Sequence, residues 1–169
     1  TRARSEKVAH KDQRLRTFIT HDAARRDLVS HVYDVTRGTV TPKDTLVVVD
    51  DSVVRGTTLR DSIITMLARL SPRRIVVVSS APPIMYPDCY GIDMAELGKF
   101  IAFQAAIALI QDTHDYGLIE QTYLAAKAEL RKPAGEQRNV VKDIYAPFTT
   151  EQISQKIADL VRPKDCRWG

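Results

Sequence analysis

Two short β-branched runs, residues 45–49 and 74–80, flank a helical pattern, and that order constrains the fold of this chain more than any other feature. Thr45 to Val49 is almost wholly apolar, as expected of a parallel strand covered on both faces. From Thr58 to Leu70 the apolar residues Leu59, Ile63, Ile64, Leu67 and Leu70 fall on one helical face, and Ser71-Pro72 marks its end. Arg74 to Ser80 is the second strand. A strand, a helix and a strand at this spacing predict a βαβ unit with parallel strands and a right-handed crossover. The fold class is therefore α/β.

The acidic pair Asp50-Asp51 stands at the carboxyl end of the first strand, and the loop Ser52-Val53-Val54-Arg55-Gly56-Thr57-Thr58 follows it into the helix. In open α/β sheets ligands sit at that edge. The loop offers a glycine, three hydroxyls and the amino end of a helix, which together suit a phosphate monoester. Two carboxylates would repel that phosphate. They serve better a few ångströms away, accepting hydrogen bonds from sugar hydroxyls or holding magnesium, usually through water. An isolated Asp-Asp-Ser would read first as a solvated turn capped by Ser52; the surrounding strand, loop and helix favour the binding role. Arg55 is open between a phosphate contact and a solvated loop position.

The stretch Val49 to Thr58, with Ser79-Ser80-Ala81-Pro82-Pro83 and Tyr90-Gly91-Ile92-Asp93-Met94 downstream and Arg16-Thr17-Phe18-Ile19 upstream, resembles the type I phosphoribosyltransferases. Within them it is similar to the glutamine phosphoribosyl pyrophosphate (PRPP) amidotransferases. The resemblance runs from about residue 14 to about residue 105. It implies an incomplete parallel-sheet phosphoribosyltransferase fold over residues 1–111, followed by a helical extension over 112–169. It also implies an enzyme that makes 5-phosphoribosylamine from PRPP and glutamine-derived ammonia in purine biosynthesis. Asp50, Asp51 and Arg16 are then the catalytic residues, with Arg16 on a loop that closes over PRPP. Asp50, Asp51, Ser52, Arg55, Gly56, Thr57 and Thr58 bind substrate, and Asp50 and Asp51 serve a Mg2+ ion.

The same resemblance implies a glutaminase domain that begins with a nucleophilic cysteine. This chain begins with Thr1 and its first cysteine is Cys89, so that domain is expected elsewhere and the chain is expected to be part of a larger protein. Purine nucleotides as feedback ligands and a homo-oligomer are further implied. Some members of the family carry an iron–sulfur cluster; such a cluster needs about four cysteines, and with only Cys89 and Cys166 none is expected here. The alternative reading is a PRPP- or nucleotide-binding regulator on the same fold without catalysis. A purely structural domain would need a degraded acidic pair or loop, and both are intact.

The net charge of +4 arises between Thr1 and Arg16, where Arg2, Arg4, Lys7, Lys11, Arg14 and Arg16 outnumber Glu6 and Asp12. A nucleic-acid arm needs aromatic interleaving or a recognised motif, and this segment has neither, so a loop drawn to an anionic ligand is the preferred account. No apolar run approaches a membrane span, and two cysteines fit a reduced, cytoplasmic setting. His10, His21, His31 and His114 lack metal-ligand spacing and are expected at the surface or in caps.

Further expectations are a short helix over Ala23 to His31, turns at Arg37-Gly38 and Thr41-Pro42, and a loop from Ala81 to Ile92. Met94 to Gln111 is apolar nearly all round and predicts a buried helix. Another helix is expected over Leu118 to Arg131, broken by Pro133 and Gly135. Thr149 caps a last one, with Gln152 at the capping-box position and Ile153, Ile157, Leu160 and Val161 as its apolar stripe.

Overall fold

The computed structural model describes residues 4–5, 9–11, 33–35, 38–56, 59–88 and 94–163, with side chains left aside at 9–11, 33–35, 61 and 62. Arg16, the expected helix over Ala23 to His31, Thr57, Thr58, Cys89, the Tyr90 to Asp93 motif and Cys166 lie outside these residues. The described residues fall into two compact units. One draws on residues 1–52, 57–81 and 161–169, the other on Val53–Gly56 and Pro82–Leu160.

In the first unit, strands β1 (Ala9–Lys11) and β2 (Tyr33–Val35) pair antiparallel, with His10 opposite Asp34. Nothing in the sequence pattern marks this pair. Strand β3 (Thr45–Asp50) runs parallel to β4 (Arg74–Ser79), in register from Thr45 opposite Arg74 to Asp50 opposite Ser79, as the βαβ pattern predicts. The ladder extends past both ends. Arg73 N donates to Asp44 O at 2.8 Å, Ser80 N to Asp50 O at 2.9 Å and Ala81 N to Asp51 O at 3.1 Å. The turn before β3 is tied by Asp44, whose Oδ2 accepts from Thr41 N at 2.8 Å and Thr41 Oγ1 at 2.9 Å, and from Arg4 at 3.0 Å. Those donors hold the Asp44 carboxyl below its ordinary value, the Thr41 amide contributing most.

One expectation for β3 needs correction. Its residues alternate between half-buried and exposed, and so do those of β4 as far as Val78. Leu46, Val48, Ile75 and Val77 are partly covered, whereas Val47 is 63% and Val49 73% exposed, with Val76 and Val78 also open. The strand is thus not covered on both faces among the described residues. An unbroken Val-Val-Val run cannot announce which of its two faces is bare, because side-chain alternation is visible only when the residue type alternates too.

The connection between β3 and β4 is wound wide at first, as a π-helical stretch Leu59–Ile64, and then as α1 (Thr65–Ala68). Leu59, Ile64 and Leu67 are its buried residues. A turn carries the chain on, Leu70 N donating to Leu67 O and Ser71 N to Ala68 O. Ser71 takes a left-handed φ of 51° and Pro72 has no amide hydrogen to continue the ladder. The helix therefore stops where Ser71-Pro72 was expected to stop it.

The second unit is helical. Helix α2 (Ile101–Thr113) buries Ile101, Ala102, Ala105, Ala106 and Ile110. It begins seven residues later than the expected Met94, after a 3-10 turn at Leu97–Lys99 and an extended, fully buried Phe100. The reason is long-range: Ile101 N donates to Val54 O at 2.8 Å, which satisfies a first-turn amide that a longer helix would have used internally. The helix closes at His114, which adopts φ 59° and whose amide bonds Gln111 O and Ile110 O; the expectation of a capping histidine holds there.

Helix α3 (Tyr116–Glu129) matches the expected Leu118 to Arg131 helix to within two residues at each end. A 3-10 turn at Ala134–Glu136 and a short helix α4 (Lys142–Tyr145) follow, and α5 (Thr150–Val161) completes the unit. Its capping box forms as expected: Gln152 N donates to Thr149 Oγ1 at 3.2 Å, and Thr149 N to Gln152 Oε1 at 2.8 Å. The core joins Ala102, Ala105, Ala106 and Ile110 of α2 to Ile144, Tyr145 and Ile153, with Ile157 and Leu160 packed against it. Tyr145 anchors the segment after Pro82. Its hydroxyl donates to Met85 O at 2.7 Å, and its ring meets Tyr86 and Phe103 edge-on at 5.7 and 6.4 Å. No helix among the described residues is long and apolar enough to cross a membrane.

Candidate functional site

The parallel ladder places the acidic pair. Asp50 is the last residue of β3 and Asp51 follows it, so both stand at the carboxyl edge of the sheet, where the sequence pattern located them. Their backbones are fixed from the segment just past β4 by the Ser80 and Ala81 amides, and Ser80 Oγ donates a third bond, to Asp51 O at 3.1 Å. Their carboxylates are ordered locally. Asp50 Oδ1 accepts from Asp51 N at 2.9 Å and Asp51 Oδ1 from Ser52 N at 2.7 Å. Each carboxylate thus uses one oxygen on the chain that follows it, and among the described residues the other takes no further bond. Asp50 is half-buried and Asp51 exposed.

That donor set bears on magnesium. Among the described residues no group of three or more His, Cys, Asp or Glu could hold a metal ion. Magnesium more often uses one or two carboxylates and completes its shell with water and substrate oxygens. Asp50 and Asp51 fit that mode.

The loop that follows is built around Gly56. It takes φ +66°, and a Cβ placed there would meet Ile101 Cδ1 at 2.7 Å and Cγ1 at 2.8 Å. Glycine is required twice over, by conformation and by the closeness of Ile101. Together with the bond from Ile101 N to Val54 O, this contact fastens Val53–Gly56 to the start of α2. Arg55 is half-buried and has an interaction partner within the chain. Ser52 gives its amide to Asp51. Thr57 and Thr58, expected to donate to a phosphate, and Arg16, expected to close over the ligand, lie outside the described residues.

Sequence reasoning assigned no role to Ser80 or Ile101. The first holds the Asp51 carbonyl and the second fills the space beside Gly56. The Ser79-Ser80 motif was a visible signal for the former; nothing in the sequence points to the latter.

A parallel strand ending in two acids, followed by a glycine-centred loop, is the arrangement of the phosphoribosyltransferase class that the sequence resembles. Comparison with known proteins narrows the likeness. No protein-family model matches the chain. It is 40% identical over 97 residues to the amidophosphoribosyltransferase of Bacillus subtilis (strain 168), and 39% identical over 88 residues to that of Escherichia coli (strain K12). Against the amidophosphoribosyltransferase of Schizosaccharomyces pombe (strain 972 / ATCC 24843) the identity is 41% over 58 residues. These alignments take in 57%, 52% and 34% of this chain, but only 20%, 17% and 11% of the respective relatives. A solved structure, the allosteric regulatory enzyme of purine biosynthesis, superposes with a TM-score of 0.43 at 26% identity, over 96% of this chain and 30% of that one. At that score the superposition is too loose to fix the fold, which rests on the strand register itself. Over about half its length, this chain resembles a portion of an amidophosphoribosyltransferase.

Proposed function

We propose that this chain is the phosphoribosyltransferase part of an enzyme that joins glutamine-derived ammonia to PRPP, giving 5-phosphoribosylamine for purine synthesis. The observation that carries the proposal is the acidic pair Asp50-Asp51, held by backbone bonds at the carboxyl end of a parallel strand, in a chain about 40% identical to amidophosphoribosyltransferases over half its length.

In this reading the free carboxylate oxygens of Asp50 and Asp51 accept from the ribose hydroxyls and favour the positive charge that develops at C1 as pyrophosphate departs. The loop from Ser52 to Thr58 anchors the 5-phosphate through its amides and hydroxyls. Arg16 belongs to a segment that excludes water from the reacting carbon. Asp50 and Asp51 would be the residues that hold Mg2+, and the ion would supply neutralisation of the charge on the leaving pyrophosphate. A glutaminase domain supplies the ammonia, purine nucleotides are candidate feedback ligands, and the setting is cytoplasmic.

The test is calorimetric titration of the chain with ribose 5-phosphate and with magnesium-PRPP, for the natural sequence and for Asp50→Asn/Asp51→Asn. Saturable binding of ribose 5-phosphate is expected, weakened about tenfold or more in the variant with an unchanged melting temperature, while magnesium-PRPP should bind only weakly. Equal binding by both proteins would reduce the pair to a polar turn and overturn the proposal.

A further inference from the structure

Among the described residues, helix α3 leaves its outward face uncovered. Its buried side carries Thr122 and Glu129, with Leu118 and Ile119 packed on the core. Its other side exposes Tyr116 (56%), Tyr123 (58%), Leu124 (57%) and, just past its end, Leu130. With 3.6 residues per turn, these four share a stripe about 120° wide with Glu120, Lys127 and Arg131. Lys127 is already ordered within the stripe, its ammonium 4.7 Å from the centre of the Tyr123 ring.

The order of residues along this stripe is self-complementary. A two-fold axis running beside the helix, level with the step from Tyr123 to Leu124, sets a second α3 antiparallel to the first. It then brings Tyr123 and Leu124 beside the same two residues of the second copy, Glu120 level with Lys127, and Tyr116 level with the turn at Leu130 and Arg131. Every charged residue of the stripe thereby meets an opposite charge or an aromatic ring, and none meets its like. Glu120 and Lys127 stand seven residues apart, about 10 Å along one helix, so they cannot serve each other within a single chain. From this charge and apolar complementarity we infer that the exposed face of α3 docks a second copy of this chain, antiparallel, as a two-fold interface centred on Tyr123 and Leu124. The inference stands apart from the proposed reaction, since it uses none of the residues assigned to it.

Sedimentation velocity over a range of concentrations tests it, together with disulfide trapping. The natural chain is expected to show a monomer–dimer equilibrium. Leu124→Glu should weaken it about tenfold or more, by burying a charge at the centre. Glu120→Lys alone should weaken it about threefold, and Glu120→Lys/Lys127→Glu should restore it. Under mild oxidation Leu124→Cys, beside the axis, should give a covalent dimer that the natural chain and Gln121→Cys, on the flank of the helix, do not. Circular dichroism melts of each variant should match the natural chain. A chain that stays monomeric at every concentration would overturn the inference and leave the face to another occupant. So would a dimer indifferent to Leu124→Glu, or a charge swap no better than its single substitutions.

Discussion

Gly56→Ala is the substitution for which the structure specifies a cost from two separate sources. At φ +66° an L-residue suffers a left-handed backbone penalty of about 1–2 kcal/mol. The new methyl would also lie 2.7 and 2.8 Å from the end of the Ile101 side chain and 3.1 Å from its Cβ, and overpacking of that kind costs about 1–3 kcal/mol. Replacing glycine stiffens the unfolded chain and returns about 0.4–1 kcal/mol, so the net loss should be about 1–5 kcal/mol. The two sources can be separated. Ile101→Ala removes Cγ1 and Cδ1, the atoms in the way, and costs about 2–5 kcal/mol by itself as a cavity. In the double variant the two shortest contacts are gone, with only the 3.1 Å approach to Cβ left, while the backbone penalty persists. The cycle should therefore be sub-additive by about 1–3 kcal/mol. Urea unfolding followed by circular dichroism, at constant m-value, measures all four corners. Additivity within about 0.5 kcal/mol would mean that Gly56 and Ile101 do not touch, and the account of how the loop is fastened would fall.

Two further outcomes are expected. Glu129, buried at the end of α3, accepts from Lys132 Nζ at 2.7 Å and Arg138 N at 2.9 Å; these donors, Lys132 first, hold its carboxyl below the ordinary 4.5. A carboxyl with a depressed folded value stabilises the fold above its unfolded value and loses that contribution as pH falls through the folded one. The stability advantage of the natural chain over Glu129→Gln should therefore be full at neutral pH and shrink as pH drops below 4.5, as read from urea midpoints across pH; an advantage that is flat with pH would refute the linkage. Thr149→Ala removes the hydroxyl that accepts from Gln152 N and should cost about 1 kcal/mol in thermal or urea unfolding, with a loss below experimental error counting against the cap.

What was legible in the sequence follows from the range of the forces involved. The β3 and β4 pairing showed in the residue types because both strands are β-branched runs joined by an amphipathic segment. The Thr149–Gln152 cap showed because its two bonds span three residues. The start of α2 did not, since Met94, Ala95 and Leu97 continue the apolar pattern backwards and only a bond to Val54, far away in the chain, sets the first turn at Ile101. The same distance hides the second duty of Gly56. Read from sequence it is a glycine that lets a phosphate approach; in the structure its missing side chain is also matched by Ile101. Helix α4 and the β1–β2 pair are too short for any periodicity to register. For the acidic pair the position was legible but the carboxylate geometry was not, because whether Asp50 and Asp51 spend an oxygen on the next amide depends on the turn they make.

The valine faces of β3 and β4 give the remaining prediction, and it bears on the one expectation the structure reversed. A parallel strand closed on both sides would bury Val47, Val49, Val76 and Val78, and replacing such valines by threonine would set hydroxyls into an apolar interior at about 1–3 kcal/mol each. The structure instead exposes them, Val49 to 73% and Val47 to 63%. Threonine is β-branched like valine and suits a strand equally well. Val47→Thr and Val49→Thr should then change unfolding free energy by no more than about 0.5 kcal/mol each. Val48→Thr, on the partly covered face of the same strand, should cost more than either. The three substitutions share a residue type, a strand and a chemical change, so differences among them report the side of the sheet alone. Urea unfolding of the single variants decides the matter, and losses at Val47 and Val49 equal to that at Val48 would show both faces covered in the folded chain, as the unbroken apolar run first implied.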